Sequence, residues 1–202
     1  AAPGSFGRFE IGGLQQLDGA QPWLEAKGAG AVIDLSNLES FVGVGSAQLR
    51  VSGGGRILTP KLERLEGVYV EASGFGSQLQ LERLTTIDFI QVNALSGALL
   101  AFPAVTGLNV APGSRGNYIN ADGGVVDLSA VTAFRGASAG FSLIQALHSG
   151  RIDLSSVPNL IAGNVEFRSE GPGSVIDLNR MATLLNSNDV TRLLAKDGGR
   201  IQ

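Results

Sequence analysis

The chain has 202 residues, 44% hydrophobic and 16% charged, which excludes intrinsic disorder and allows a single domain with a sizeable core. A formal net charge of −3 excludes the basic surface that binding to nucleic acid or to an anionic membrane requires, and no apolar run is long enough to span a membrane. The absence of cysteine excludes disulfides, thiol catalysis and thiolate metal sites.

One hydrophobic pattern recurs along the whole sequence, and its best-preserved form is residues 32–36, Val-Ile-Asp-Leu-Ser, which follow Gly30 and Ala31. Apolar residues stand at offsets 0, 2, 5 and 8, as in Ile33, Leu35, Leu38 and Phe41. The step of two predicts a strand with alternate side chains inward, and the steps of three predict corners with two residues outside. In chain order, the copies begin at Phe9, Ile33, Ile57, Leu79, Leu100, Val126, Ile152 and Ile176, and a ninth begins within 198–201.

A further strand is predicted after this pattern in most copies, again with alternate apolar residues facing inward. Gly-rich residues such as 52–55, 72–74 and 122–124 then close the coil, since glycine adopts the turn conformations that other residues avoid. In chain order, the inward residues of this strand are predicted to be Leu49/Val51, Val68/Val70, Ile90/Val92, Ile144 and Val165/Phe167.

Repeats of 21 to 26 residues predict a solenoid, here an all-β, right-handed parallel β-helix of about eight coils. The alternative is a leucine-rich-repeat-like solenoid, which requires a recurrent Asn and a helix or 3₁₀ turn in each repeat. No Asn recurs at the required place. Residues 1–202 are expected to form one solenoid domain, excised from a larger multimodular protein.

One predicted outer column contains acidic residues on consecutive coils, namely Asp127, Asp153 and Asp177. The favoured interpretation is structural: each carboxylate accepts hydrogen bonds from backbone at a corner of the coil. Two alternatives are a calcium site, the one cofactor this sequence suggests, and a catalytic carboxylate pair. No residue is assigned as catalytic, and the single histidine, His148, is expected to be a turn residue.

A second outer column follows the later strand, where Tyr69 must point outward between Val68 and Val70. Arg50 and Gln91 are expected at the equivalent positions. Aromatic rings beside amides and charged groups suit sugars, because C–H faces stack on rings while hydroxyls meet the polar groups. The alternative is that these aromatic residues cover coil corners. The predicted ligand-binding residues are Trp23, Arg50, Tyr69, Glu71, Phe89, Gln91, Asn93, Tyr118 and Asn120.

The unit at 30–41 and 124–134 resembles the Gly-rich β-solenoid repeats of large secreted, multimodular bacterial proteins. Some right-handed β-helices of this kind are xylan-binding carbohydrate-binding modules attached to plant-cell-wall enzymes. The resemblance implies a secreted, non-catalytic module with a plant or microbial polysaccharide as ligand, xylan first, and flanking modules of the same polypeptide as neighbours. No nucleic-acid partner and no membrane span are expected.

Two other functions stay open at this point. One is a structural spacer or adhesin solenoid without a ligand. The other is a polysaccharide lyase or glycoside hydrolase, because such enzymes share the fold and fold alone does not give function. Those enzymes usually carry Arg, Lys or clustered Asp in a groove, and such clusters are not evident in this sequence.

Overall fold

The computed structural model describes residues 7–88, 90–108, 116–137, 140–160, 163–184 and 190–202. These residues form short strands joined by turns, and none of them is helical. The described part of the chain accordingly offers no helix with the length and hydropathy needed to cross a membrane.

Each coil of the chain contributes three strands. In chain order, those of the first four coils are β1 (Arg8–Glu10), β2 (Gln16–Ala20), β3 (Trp23–Lys27), β4 (Val32–Asp34), β5 (Ser40–Gly43), β6 (Gln48–Ser52), β7 (Arg56–Leu58), β8 (Arg64–Glu66), β9 (Tyr69–Ser73), β10 (Gln78–Leu79), β11 (Thr86–Asp88) and β12 (Gln91–Leu95). Those of the next four coils are β13 (Leu99–Ala101), β14 (Gly107–Leu108), β15 (Tyr118–Asp122), β16 (Val125–Asp127), β17 (Ala133–Phe134), β18 (Ser142–Leu147), β19 (Arg151–Asp153), β20 (Asn159–Leu160), β21 (Val165–Glu170), β22 (Val175–Asp177), β23 (Thr183–Leu184) and β24 (Thr191–Lys196). A ninth coil begins with β25 (Arg200–Ile201).

Every third strand shares a face, so the molecule has three faces. Face A contains β1 and every third strand after it, face B those from β2, and face C those from β3. All paired strands of these faces are parallel and come from successive coils, as where Ile33 lies opposite Ile57 and Ile152 opposite Ile176. The predicted all-β parallel solenoid is thus confirmed, with seven turns of chain between the first and last strands of face C. Its right-handedness stays a prediction.

The core is a continuous stack of the repeat's apolar residues. In the second coil Leu35, Leu38 and Phe41 are fully buried, and the same offsets are buried through the middle of the molecule. The first coil is less covered, since among the described residues only the second coil packs against it, and Phe9 is 54% exposed. Because each coil contacts only its neighbours, burial is complete only where coils stand on both sides.

Glycines that precede the face A strands are required by packing. At Gly55, Gly124, Gly150 and Gly199, an added β-carbon would lie 1.9 to 2.5 Å from a carbonyl oxygen of the preceding coil. Van der Waals contact requires well over 3 Å between such atoms, so a side chain at these positions would force the coils apart. The recurrent glycine of the sequence therefore marks where two coils touch through their backbones.

The stack is interrupted between the fourth and fifth coils. Among the described strands, β10 of face A pairs only with β7 and β13 only with β16. On face B, β11 likewise pairs only with β8 and β14 only with β17. Face C continues through this step as one eight-stranded sheet, because β12 pairs with β15. The solenoid thus consists of two stacks that share a single sheet.

Candidate functional site

The strand register of face C brings the predicted aromatic residues into one outward column. Successive coils place Trp23, Gln48, Tyr69, Gln91 and Tyr118 directly opposite one another. Aromatic rings and amides therefore alternate from the first coil to the fifth. Neighbouring strands lie about 4.8 Å apart, so the rings recur about every 9.6 Å along the stack.

The register corrects the predicted position of Arg50. It was expected to be equivalent to Tyr69, but it lies opposite Glu71, and Gln48 is the residue opposite Tyr69. The error arose from matching Leu49 with Val68, whereas Leu49 lies opposite Val70. Val68 is also buried because it fills the corner before the strand, so burial alone did not reveal the shift.

A groove of about 700 Å³ runs along this column at the corner between faces B and C. Its walls include Tyr69, Gln91 and Tyr118, and Arg50 lies at one side. Its floor is largely backbone, since the corner positions are occupied by small residues. Those floor residues are Gly45, Ser46, Ala47, Gly67 and Gly116.

Arg50 is the charged side chain among the described residues that line the groove. Its Nη2 and Nε donate hydrogen bonds to Glu71 Oε1 at 2.6 and 3.2 Å. Its guanidinium carbon lies 5.8 Å from the centroid of the Trp23 ring and 5.9 Å from that of Tyr69, which are cation–π distances. The hydrogen bond to Glu71 is the main cause of the raised pKa of Arg50. The cation is therefore held by a carboxylate and two rings.

The two tyrosines of the groove are anchored by their hydroxyls. Tyr69 donates a hydrogen bond to Glu71 Oε2, two residues along the same strand, and the Tyr118 hydroxyl accepts one from Gln145 Nε2 at 2.5 Å. A hydrogen bond to a residue two positions along requires the Tyr69 ring to lie along the face rather than to stand on it. A ring in this position forms a platform beside the groove.

Ionisation of Tyr69 gives a direct test of this arrangement. Burial, followed by the hydrogen bond to Glu71, raises the pKa of Tyr69 to about 12. An unfolded tyrosine ionises near pH 10. The protonated hydroxyl of Tyr69 therefore makes its full contribution to the free energy of unfolding below about pH 10, and this contribution is lost as the pH rises towards 12. We expect the ultraviolet absorbance of tyrosinate in a Tyr118→Phe variant to develop near pH 12 when folded. The same variant in urea serves as the control. A folded-state transition near pH 10 would contradict both the burial of the ring and its hydrogen bond to Glu71.

The predicted amides Asn93 and Asn120 form a ladder beside the groove. Asn120 Nδ2 donates to Asn93 Oδ1 at 3.1 Å, and Gln145 Nε2 donates to Asn120 Oδ1 at 3.1 Å. Both asparagines are 7% exposed. Since Gln48 and Gln91 are more exposed, they are the amides that a ligand would meet first, and Gln48 was missed by the sequence analysis.

Two further predicted residues lie away from the groove or outside the description. Trp23 is 61% exposed and extends the aromatic column towards the first coil, where it borders a separate cavity of about 570 Å³. Phe89 lies outside the described residues. The groove therefore brings together Arg50, Tyr69, Gln91 and Tyr118 of the predicted set, with Glu71, Asn93 and Asn120 in the adjacent column.

The acidic column of face A has the hydrogen bonds that a structural role requires. Asp127, Asp153 and Asp177 each accept a hydrogen bond from the backbone amide two residues later, at 2.9 to 3.2 Å. Arg151 Nη2 lies 3.4 Å from Asp153 Oδ2 and 3.2 Å from Asp177 Oδ2. Burial tends to raise the pKa of Asp153, but hydrogen bonds from Ser155 and Arg151 outweigh it and lower that pKa.

Neither a calcium site nor a catalytic carboxylate pair in this column is supported by side chains that converge on one point. Within the described ranges, no three His, Asp or Glu side chains come together as a metal site. The corner hydrogen bonds use one oxygen of each carboxylate. Calcium binding and catalysis by these residues stay predictions without support from the geometry.

Comparison with known proteins identifies no relative of this chain. No protein-family model matches the chain, and no curated protein or solved structure matches it significantly. Function therefore has to be inferred from the columns of face C and the groove between Tyr69 and Tyr118.

Proposed function

We propose that this chain is a non-catalytic polysaccharide-binding module that holds its ligand in the groove of face C. The observation that carries the proposal is the alternation of aromatic rings and amides along the stack, from Trp23 to Tyr118. A polysaccharide is itself a repeat of apolar C–H faces and hydroxyls. A column that repeats in the same two chemistries can bind several sugar units in succession.

The spacing of the rings suits an extended sugar chain that runs along the solenoid axis. Tyr69 and Tyr118 are two coils apart, about 9.6 Å, which is comparable with two pyranose rings of an extended chain. Gln91 lies between them and can reach the hydroxyls of the intervening unit. Xylan is the ligand we favour, and a secreted, multimodular bacterial enzyme is the setting implied by the repeat's resemblance.

The charge of the groove supports binding rather than cleavage. Glycosidases use a pair of carboxyl groups that flank the scissile bond. Among the described residues that line the groove, Arg50 alone is charged. The neighbouring Glu71 is 7% exposed and is engaged by Arg50 and Tyr69.

Replacement of the two tyrosines tests the proposal. We expect Tyr69→Ala and Tyr118→Ala each to weaken xylan binding about tenfold, since each removes about 1–2 kcal/mol of ring contact. Affinity electrophoresis in gels containing xylan measures the change. Tyr69→Phe keeps the ring but loses the hydroxyl bonded to Glu71, so it should bind more weakly than the parent and more tightly than Tyr69→Ala. Phe75→Ala is the matched control, because Phe75 is an exposed ring outside the groove lining.

A structural solenoid without a ligand is the second candidate. It is favoured by the internal pairing of outward charges, as in Arg50 with Glu71, Arg151 with Asp177, and Arg192 with Glu166. Equal mobility of the parent and both alanine variants in every polysaccharide gel would overturn the binding proposal and leave this candidate in its place.

A further inference from the structure

We infer that Glu71 restricts the groove of face C to neutral polysaccharides, because it neutralises Arg50, the one cation among the described residues that line the groove. The inference rests on the proposed function and names the ligand class of the same site. It also assigns Glu71 a role in specificity: this carboxylate acts on the ligand through Arg50 and does not itself line the groove.

Arg50 alone would be a receptor for a carboxylate. An exposed guanidinium between two aromatic rings binds a uronic acid readily, through charge-assisted hydrogen bonds in a planar arrangement. In this protein, Nε and Nη2 of Arg50 both donate to Glu71 Oε1, and the Arg50 side chain is 30% exposed. Two of the five N–H donors of Arg50 are thus directed at Glu71, and its positive charge is paired there.

Displacement of the Glu71 side chain from Arg50 is energetically unfavourable. Its side chain is 10% exposed, its Oε1 receives Arg50, and its Oε2 receives the Tyr69 hydroxyl. Displacing it would leave a buried carboxylate without its charged partner, which is strongly destabilising. An anionic ligand that left the pair intact would meet Arg50 with its charge already neutralised by Glu71, and it would gain no net attraction.

The surrounding charges also disfavour anions. In the column of Arg50, the preceding coil contributes Glu25 and the following coils contribute Glu71, Asn93 and Asn120. Over these coils the column has two acids and one base. A neutral sugar chain meets no such penalty, so the pair selects against acidic ligands by repulsion rather than by an added contact.

The decisive variant is Glu71→Gln, which keeps the size of the side chain and an oxygen for Tyr69 but releases Arg50 from its partner. We expect this variant to gain affinity for polygalacturonate about tenfold or more, measured by affinity electrophoresis at low and high salt. The gain should shrink at high salt, because the new contact is electrostatic. The double variant Arg50→Gln/Glu71→Gln should lose the gain.

Glu66→Gln is the matched control. It makes the same change in net charge and releases Arg64, but that pair lies on face B and neither residue lines the groove. Equal retardation of Glu71→Gln and Glu66→Gln in polygalacturonate would overturn the inference. Thermal unfolding of each variant shows whether it is folded.

A measurement on the parent protein needs no variant. Xylan bearing glucuronic acid should bind no more tightly than unsubstituted xylan, and tighter binding of the acidic form would overturn the inference. The proposed function fails separately, if the parent protein binds no neutral polysaccharide. A gain of polygalacturonate binding in Glu71→Gln would support the role of Glu71 even then.

Discussion

Gly150→Ala is expected to lower the free energy of unfolding by about 3 kcal/mol or more, because the coils have no room for a β-carbon there. The added carbon would lie 1.9 Å from the carbonyl oxygen of Ala121 and 2.8 Å from that of Leu147. Both obstacles are backbone, and Ala121 belongs to the sheet of face C. Relief would require a shift of one coil against another. Urea denaturation with a fluorescence or circular dichroism signal measures the loss.

Gly13→Ala is the matched control for this substitution. Nothing lies within 4 Å of a β-carbon at Gly13, and its backbone does not require a positive φ. Such a replacement is neutral or stabilises slightly, by about 0.4–1 kcal/mol, through the unfolded state. If the two variants were equally stable, backbone contact between coils would not be what the recurrent glycine preserves.

Phe134→Ala is expected to destabilise the protein by about 3–5 kcal/mol, the range for deletion of a buried ring. Phe134 and Phe167 are both fully buried, with ring centroids 6.0 Å apart and planes at 87°, an edge-to-face contact between faces B and C. Phe134→Leu should cost less, since it leaves a smaller cavity. Chemical denaturation of both variants measures the difference.

The exposed ring of Phe75 provides the comparison. Phe75 is 85% exposed, so Phe75→Ala should change stability by no more than about 0.5 kcal/mol. A double-mutant cycle of Phe134→Leu with Phe167→Leu should give a coupling of about 0.5–1.5 kcal/mol. Zero coupling would show that the edge-to-face contact adds nothing beyond burial.

The fold was predictable because the core repeats. The offsets of the first strand placed Ile33, Ile57, Ile152 and Ile176 in correct register, since corner lengths within that part of the repeat are constant. The later strand follows loops of unequal length. The buried corner residue before this strand is Ala47 in one coil and Val68 in the next, and matching Val68 with Leu49 shifted the alignment by two positions.

The interruption between the fourth and fifth coils had no visible signal. Leu79 and Leu100 both keep the apolar frame, and both coils bury their later core residues. Pairing depends on how closely two backbones approach, which the apolar pattern does not record.

The candidate site, too, was only partly predictable from residue type. Residue type indicated Tyr69, Tyr118, Gln91 and Arg50, but only the register revealed Gln48 and the contact of Arg50 with Glu71.

The shared sheet gives the molecule a mechanical asymmetry. A pull along the long axis loads every step between coils in series, and each of the other steps among the first eight coils resists with strand pairs on three faces. Among the described strands, the step from the fourth to the fifth coil resists with one pair, β12 against β15. Every step carries the same force, so this step is expected to separate first. Gln91 and Tyr118 lie on its two sides, so the wall of the groove is also the place where the rod is weakest under load.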